Sequence, residues 1–318
     1  MKLAVGFITY NDSSAKYLTD FVPSLLLALQ FLGKDNYQIY AWDNSAPENK
    51  VNKEALSLYP ELEYLSTGEN LGFGRAYNIM INRAKQLGAE YFLIINPDTI
   101  LEPPSLQAMV RALDSDVSLA SVAPKILRWN FAANTKTKQI DSAGIILKPG
   151  LRFHDLGQGQ EDEKQFDRRS ILGPSGAAGL FRLSALEKIQ VAGQYFDERF
   201  FMYKEDCDLD YRLQQSGFTS RLVPESIIYH DRTAYSTGTS LGSIFINRFR
   251  KSRQIRLWSH LNEHLIYVKH WSSQNFVSRL FIIIRFVTIL LFSLILEQFL
   301  LKNYVLLWRA SRVLTNVK

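Results

Sequence analysis

Two acidic segments of the sequence carry side chains that could do chemistry. Asn96-Pro97-Asp98 follows an apolar run, and its carboxylate and amide oxygens suit a hard divalent cation that bridges phosphates, although these residue types also form strand-ending turns. Glu205-Asp206-Cys207-Asp208 offers a general base at the mouth of a site, or an acidic helix start favoured by the helix dipole. Like-charge repulsion should raise the pKa of at least one of these carboxyl groups.

A histidine and two glycine-rich runs are further candidates. His230 ends the apolar residues 226–229 and is either a metal ligand or a structural residue. Residues 68–74 fit neither the dinucleotide pattern G-x-G-x-x-G nor the P-loop pattern. They form either a tight turn or, with Arg75, a helix N-terminus that faces a diphosphate. The small residues 173–179 indicate a flexible loop or a close backbone approach to a substrate.

Alternating strands and helices in the first part of the chain must position these residues. Apolar runs predict strands at Leu3–Thr9, Tyr37–Asp43 and Tyr91–Ile95, and periodic apolar residues followed by Gly predict helices over 18–32 and 74–87. Strands that alternate with helices predict parallel pairing and a doubly wound sheet.

Polar clusters follow three of these predicted strands, namely Asn11-Asp12, Asp43-Asn44-Ser45 and Asn96-Pro97-Asp98. In doubly wound sheets, ligands bind beyond the carboxyl ends of the strands. We therefore expect the three clusters to gather at one edge of the sheet and to form a binding site there.

The composition limits the class of protein. The 318 residues are 47% hydrophobic, which is enough for a full core, and the net charge of +6 suits an anionic partner. The single cysteine, Cys207, excludes an intrachain disulfide and a Cys-based zinc site. The N-terminus lacks the apolar core and cleavage site of a signal peptide, so we expect the bulk of the chain to stay in the cytosol.

The last part of the chain differs in composition, and we place a boundary near residue 245, between a catalytic domain of residues 1–245 and a helical extension of residues 246–318. An apolar run over 280–296 has 14 Leu, Ile, Val or Phe among its 17 residues, and a spanning helix needs about 20. The basic residues that precede this run include Arg248, Arg250, Lys251, Arg253, Arg256, Lys269 and Arg279, and those that follow it are Lys302, Arg309, Arg312 and Lys318.

Positive charge on both sides of the apolar run gives no preferred orientation across a bilayer. We therefore expect helices that lie in the interface or dip into one leaflet at the inner face of the cell membrane, with basic residues on anionic headgroups. A buried core helix or a homodimer interface is the alternative. Nucleic acid is not an expected partner, because the basic residues adjoin an apolar run rather than exposed aromatics.

The ordered set of motifs resembles the family 2 glycosyltransferases of the GT-A fold, and is most similar to their rhamnosyltransferase-like and galactofuranosyltransferase-like branch. The resemblance runs from Ile8-Thr9-Tyr10-Asn11 to about residue 235, and it depends on the order of the motifs rather than on any one of them. The matching segments are Asp43-Asn44-Ser45, residues 69–75 with Asn78, Asn96-Pro97-Asp98, residues 176–182, residues 200–209 with Arg212, and His230.

This resemblance implies an α/β fold, with a Rossmann-like, mixed and mainly parallel sheet flanked by helices, and roles for the matching positions. Asp206 would be the catalytic base, with Glu205 as its nearest competitor, and Asp98 and His230 would ligate a metal. The acceptor loop would include Gly176, Ala177 and Ala178. The implied residues of the donor site are Thr9, Tyr10, Asn11, Asp43, Asn44, Asn70, Gly72, Phe73, Arg75, Asn78 and Asn96.

The implied cofactor is a divalent metal, Mg²⁺ or Mn²⁺. Family members often carry Asp-x-Asp at the metal site, whereas this chain has Asn96-Pro97-Asp98. The loss of one anionic ligand should weaken metal affinity.

The implied reaction is inverting transfer of a sugar such as rhamnose from a dTDP- or UDP-sugar to a polyprenyl-linked or cell-surface glycan. A sugar nucleotidylyltransferase would need a Gly-rich, Arg-containing loop directly after the first strand, where this chain has residues 9–13. A non-catalytic subunit that binds a sugar nucleotide or a lipid-linked glycan remains as an alternative, although Asp206 and His230 together favour an enzyme.

Overall fold

The computed structural model of the chain describes residues 1–232, 248–249 and 251–307. These residues form two compact units. The first unit contains residues 1–146, 155–201 and 205–232, and the described part of the second contains residues 147–154, 202–204, 248–249 and 251–307. The boundary predicted near residue 245 lies outside the described residues.

The strands of the first unit form a mixed sheet. In chain order the strands are β1 (Leu3–Thr9), β2 (Tyr37–Asp43), β3 (Leu62–Ser66), β4 (Tyr91–Ile95), β5 (Thr99–Leu101), β6 (Leu119–Asn130), β7 (Thr135–Ser142), β8 (Ile145–Lys148), β9 (Arg152–Asp155), β10 (Ala178–Arg182) and β11 (Thr219–His230). Their order in the sheet is β3-β2-β1-β4-β10-β6-β11-β5, with β7 paired to β6. Strands β8 and β9 form a separate hairpin, whose residues 147–154 belong to the second unit. The α/β fold class expected from the sequence is confirmed.

Helices cover both faces of this sheet. They are α1 (Asn11–Leu29), α2 (Val51–Leu56), α3 (Gly72–Gln86), α4 (Ser105–Ser115), α5 (Leu183–Lys188) and α6 (Glu205–Gln215), and the second unit adds α7 (Arg253–His270) and α8 (Phe276–Ile295). Consecutive strand residues point to opposite faces. Thus Val5 packs in the cluster that contains α1 and α4, whereas Ala4 packs in the cluster that contains α3, α5 and α6.

The parallel pairing of β1 with β2 and β4 brings the predicted polar clusters to one edge. Thr9 lies opposite Asp43, and Gly6 lies opposite Ile94, so all three strands end on the same side. The expected convergence is therefore confirmed. Strand β10, which pairs antiparallel with β4, was not expected.

Two helices begin earlier than the sequence predicted. Helix α1 begins at Asn11 rather than at residue 18, because its first turns are polar and lack the apolar periodicity that marks a helix. Helix α3 begins at Gly72 rather than at residue 74, with the Gly72 N–H bonded to Asn70 Oδ1 at 2.9 Å. The region expected to be a Thr9–Asn11 loop is thus reduced to a strand end, one connecting residue and a helix start.

Two buried carboxylates hold the second unit together. Glu263 of α7 pairs with Lys204 and with Arg285 of α8, each at 2.7 Å. Burial alone would raise the pKa of Glu263, but these two cations lower it to about 2. Glu297 is 1% exposed and pairs with Arg248 and Arg256. Those two arginines, which the sequence assigned to lipid headgroups, therefore have a carboxylate partner inside the protein.

Helix α8 exposes most of its apolar surface. It is long and apolar enough to cross a bilayer, and only 17% of its most apolar window is buried. Its buried residues are Ser278, Ile282 and Ser293, which form a narrow stripe. This exposure disagrees with the alternative that the run is a core helix of the described chain.

Candidate active site

The carboxylate of Asp43 orders the edge where β1 and β2 end. It is 1% exposed, and its Oδ1 accepts hydrogen bonds from Thr9 Oγ1 at 3.1 Å, Ser45 Oγ at 2.6 Å and Asn52 Nδ2 at 3.2 Å. Its Oδ2 accepts one from the Tyr64 hydroxyl at 2.9 Å. Because both oxygens already have partners, direct contact of Asp43 with a nucleotide stays a prediction.

The same network holds the start of α1. The Asn11 N–H donates to Ser45 Oγ at 2.7 Å, and Asn52 Nδ2 donates to the Asn11 carbonyl at 3.1 Å. Tyr10 precedes this helix start and is 46% exposed. An exposed aromatic ring therefore lies next in the chain to an ordered polar edge.

Asn44 fixes the turn before α3, and its predicted role in the donor site stays a prediction. Its Oδ1 accepts from Trp42 Nε1 at 2.9 Å and from the Leu71 N–H at 3.1 Å, while its Nδ2 donates to the Gly72 carbonyl at 3.1 Å. Asn44 is buried, and these three hydrogen bonds of its side chain all support the fold. Asn70, by contrast, is exposed.

The N-terminal turns of α3 clamp the segment before α6. The Phe73 N–H donates to the Phe201 carbonyl at 3.0 Å, and a Cβ at Gly72 would lie 2.5 Å from that same oxygen. Asn78 accepts from the Tyr195 and Phe196 N–H groups and donates to the Phe196 carbonyl.

Three predicted donor-site residues, Gly72, Phe73 and Asn78, thus have structural contacts here. Arg75 has a side chain that is 57% exposed and lies 3.9 Å from Glu198.

The run of small residues 173–177 connects the Asp98 turn to α6. The Asn96 N–H donates to the Ala177 carbonyl at 2.9 Å, and the Gly176 N–H donates to Asp206 Oδ2 at 2.9 Å. The sequence therefore placed Asn96, Gly176, Ala177 and Asp206 in one region correctly. Ala178 differs from its prediction as an acceptor-loop residue, because it begins β10 and is completely buried in the core.

The acidic start of α6 separates into carboxyl groups with different environments. Asp208 is fully buried and pairs with Arg212 at 2.8 Å, which is an i,i+4 pair within the helix. Asp206 is half-buried, and its Oδ1 accepts from the Cys207 N–H at 2.8 Å. With Gly176 bonded to its other oxygen, Asp206 is held by backbone donors on both sides.

Glu205 and Asp210 are buried acids whose ionisation is unfavourable. Glu205 is 6% exposed and Asp210 is 1% exposed. Burial, followed by the negative charge of Asp206, raises the pKa of each well above its ordinary value. The expectation of a raised pKa in this segment holds, with burial as its larger cause. Burial therefore disfavours the charged, proton-accepting form of both groups, whereas Asp206 is half-buried and is the candidate for the base.

His230 lies between two carboxylates. Its Nδ1 is 2.8 Å from Asp141 Oδ2, and its Nε2 is 3.3 Å from Asp98 Oδ1. Burial alone would lower the pKa of the imidazole, but the charge of Asp98 and the hydrogen bond with Asp141 outweigh it and raise the pKa to about 10. The Asp231 N–H also donates to the Asp98 carbonyl at 2.9 Å, so backbone and side chains both join these two elements.

Asp98 and His230 fit a divalent cation. Asp98 Oδ1 is buried and faces His230 Nε2 at 3.3 Å, so both atoms can reach the same cation. The bond from His230 Nδ1 to a carboxylate is the arrangement with which proteins orient an imidazole that ligates metal through Nε2. Within the three described ranges, no group of three or more His, Cys, Asp or Glu residues is arranged to hold a metal by itself. A cation at this position would therefore draw further ligands from a bound diphosphate.

Sequence reasoning missed several residues of this region. Asp141 on β7 contacts both His230 and Arg232, and Arg232 also pairs with Asp155 at 3.1 Å. Asp141 is 1% exposed and follows the fully buried Ile140 in the sequence. The signal for Asp141 was an acidic residue in a buried strand, because a buried charge needs a partner of opposite charge.

The family model and the sequence relatives that match this chain are all glycosyltransferases. The family model described as glycosyl transferase family 2 matches residues 5–190. N-acetylglucosaminyl-diphospho-decaprenol L-rhamnosyltransferase of Mycobacterium tuberculosis (strain H37Rv) is 29% identical over 250 residues, which cover 74% of this chain and 78% of that protein. Rhamnosyltransferase WbbL of Escherichia coli (strain K12) is 25% identical over 221 residues, which cover 64% of this chain and 76% of that protein.

Among solved structures, GalNAc-T7 with UDP, GalNAc and Mn²⁺ is similar with a TM-score of 0.54 and 12% identity. The alignment covers 86% of this chain, and this chain spans about half, 51%, of that one. At such low identity the likeness concerns the fold alone.

Proposed function

The chain belongs to glycosyl transferase family 2, and from this premise we propose that it moves a sugar from a nucleotide diphosphate to a lipid-linked glycan acceptor with inversion at the anomeric carbon. One observation carries the proposal. Residues 176–177 hydrogen-bond to Asn96 on one side and to Asp206 on the other. A carboxylate suited to proton removal is thereby held next to the turn that carries Asp98.

Asp206 acts as the general base in this proposal. The acceptor hydroxyl forms a bond to the anomeric carbon while the bond from that carbon to the diphosphate oxygen breaks, and the hydroxyl proton passes to Asp206. A positioned base contributes about 10²–10⁴-fold to such a step. The N–H groups of Gly176 and Cys207 fix the orientation of the carboxylate, and burial favours the neutral form of Glu205 beside it.

The departing nucleoside diphosphate accumulates negative charge. Asp98 and His230 would hold Mg²⁺ or Mn²⁺ at this point, and the cation would stabilise that charge as a Lewis acid. Asp141 orients the His230 imidazole through the bond to Nδ1. The exposed ring of Tyr10 and the Asp43 network are placed to receive the base and ribose.

Rhamnose is the proposed sugar and a polyprenyl-diphosphate-linked glycan the proposed acceptor. Two relatives support this choice, since both are named rhamnosyltransferases and the mycobacterial one acts on a decaprenol-linked N-acetylglucosaminyl diphosphate. dTDP-rhamnose is therefore the first donor to test, ahead of UDP-sugars.

A donor screen by thermal shift tests donor and metal together. We expect dTDP-rhamnose with Mn²⁺ to raise the melting temperature more than UDP-sugars do. Asp141→Asn should need about 10–100-fold more Mn²⁺ for the same shift, because residues that orient a metal ligand affect metal affinity to this extent.

Asp155→Asn is the matched control for that screen. Asp155 also pairs with Arg232, but among the described residues it makes no ion pair or hydrogen bond with His230. Equal Mn²⁺ requirements in the two variants would refute the role of Asp141. The absence of a shift with every nucleotide sugar would refute the donor class.

Helix α8 is the proposed membrane contact, at the cytoplasmic face of the membrane that carries the lipid-linked acceptor. Its apolar surface is broadly exposed, and of its two arginines Arg279 lies in the first turn while Arg285, near the middle, pairs with Glu263. Pairing within the protein lowers the cost of placing a cation near hydrocarbon. The helix can therefore enter the lipid further than a helix with a free arginine.

Flotation on anionic vesicles without detergent tests this contact. We expect wild-type protein to float, and the variant Leu280→Gln/Ile284→Gln/Leu291→Gln to lose at least about tenfold in bound fraction, since each exposed apolar side chain contributes more than 1 kcal/mol on burial in lipid. The matched control is Leu27→Gln/Leu58→Gln/Leu87→Gln, which removes three exposed leucines of the first unit. Equal flotation of both triple variants would contradict the proposal.

A further inference from the structure

A groove of about 980 Å³ lies on the first unit, away from the candidate active site. Helix α4, residues 167–170 and the first residues of β11 line it. His230 and Asp98 lie at the other end of β11, which bulges between Val223 and Ile227. On the paired strand β6, Val122 lies opposite Arg221 and Arg128 lies opposite His230. Six steps at a rise of about 3.3 Å per residue place Arg221 roughly 20 Å from His230.

Four arginines from three separate elements converge on the groove, namely Arg111 of α4, Arg168 and Arg169 of the loop, and Arg221 of β11. All four are exposed. Across the described ranges, no carboxylate lies within ion-pair distance of the first three, while Arg221 pairs with Asp116 at 2.6 Å.

The acidic residues of the groove offset this charge only in part. Asp167 pairs with the buried Lys125 of β6 at 2.7 Å, and Glu225 is exposed and lies outside ion-pair distance of the arginines among the described residues. Three guanidinium groups therefore remain without a carboxylate partner in a single concave surface. Repulsion between them disfavours this arrangement unless an anion occupies it.

A buried ion pair fixes the loop that carries two of the arginines. Lys125 is 2% exposed, and its Nζ donates to both oxygens of Asp162, at 2.9 and 3.0 Å, besides its contact with Asp167. A β-bridge between Ile171 and Ser220 ties the end of the same loop to β11. The loop is therefore held before any ligand arrives, which lowers the entropic cost of binding.

The chemistry of the groove matches phosphate. A guanidinium group binds a phosphate through a planar pair of N–H donors, and Arg is the preferred residue for such contacts. Each phosphate carries about −1.5 to −2 charges, so three free arginines balance about two phosphates. The volume also lies near the upper end of ordinary small-ligand sites, about 300–1,000 Å³.

We propose that this groove, lined by Arg111, Arg168, Arg169 and Arg221, binds a ligand that carries two phosphate groups, at a site separate from the one that performs sugar transfer. A soluble diphosphate and a lipid headgroup with two phosphates share this chemistry. The proposal does not depend on the function proposed above.

Calorimetric titration with inorganic pyrophosphate, in metal-free chloride buffer, tests the soluble source. The variant Arg111→Gln/Arg168→Gln/Arg169→Gln should raise the Kd at least about tenfold, because charged hydrogen bonds of about 1.5–3 kcal/mol are lost. The control Lys34→Gln/Lys50→Gln/Lys138→Gln removes the same charge from exposed positions elsewhere and should change the Kd by less than about threefold. Melting temperatures should stay unchanged in the arginine variant, because these three side chains make no ion pair or hydrogen bond with the described residues.

Sedimentation with phosphatidylcholine vesicles, with and without cardiolipin, tests the lipid source. Loss of cardiolipin-dependent binding in the arginine variant alone identifies a headgroup, and loss of pyrophosphate binding alone identifies a soluble ligand. Equal behaviour of the arginine and lysine variants in both assays, or no binding by the wild type in either, overturns the proposal.

Discussion

Asp206→Asn is expected to lower sugar transfer by about 10²–10⁴-fold while leaving donor binding unchanged. The amide keeps the shape of the carboxylate, and its oxygen can still accept from the Gly176 N–H. It cannot accept the proton of the acceptor hydroxyl at neutral pH. The loss should therefore fall on kcat, with the donor-induced thermal shift as large as in the wild type.

Glu205→Gln is the control for this prediction. Burial and the charge of Asp206 raise the pKa of Glu205 and favour its neutral form, so we expect a neutral amide of the same shape to be tolerated there. We expect a loss of less than about tenfold, far below that of a missing base. Full turnover by Asp206→Asn, or a larger loss in Glu205→Gln than in Asp206→Asn, would reverse the assignment of the base.

Gly72→Ala is expected to reduce the free energy of unfolding by about 2–5 kcal/mol and to reduce transfer as well. The backbone at Gly72 has a φ of +73°, and its Cβ would lie 2.5 Å from the Phe201 carbonyl oxygen. The added methyl group must push away the segment that leads into α6. Urea unfolding and initial transfer rates measure the two effects.

Gly88→Ala separates conformational strain from the clash. Gly88 has a φ of +70°, almost that of Gly72, but no atom lies within 4 Å of its Cβ position. Alanine there should cost only about 1–2 kcal/mol, the ordinary penalty of a left-handed backbone, and should leave transfer unchanged. Similar losses in the two variants would show that contact with Phe201 does not matter.

The fold could be predicted from the sequence where local pattern and burial agree. Strands β1, β2 and β4 were placed at their observed bounds because each is a short apolar run that ends in polar residues. The antiparallel insertion of β10 between β4 and β6 was not visible, since strand direction depends on pairing across the chain. Residues near 245 lie outside the described ranges, so the domain boundary stays a prediction.

The sequence predicted the location of the site better than it predicted the contacts that the site residues make. Asn96 and Asp206 were expected together and are joined through residues 176–177. Asn44 and Asn78 match motif positions, but their side chains hold backbone turns, which a motif does not distinguish from ligand contact. Asp141 reaches His230 across 89 residues, and no local pattern predicts such a pair.

The assembly of the second unit has a consequence for synthesis of the chain. The Gly150 N–H bonds to Ser278 Oγ at 3.0 Å, across 128 residues. A ribosome adding about 5–20 residues per second needs roughly 6–25 s between these two positions. Residues 1–232 are complete before α8 emerges, so the transferase unit has time to fold while the apolar helix does not yet exist. The exposed apolar surface of α8 thus appears only after the first unit has had this time to fold.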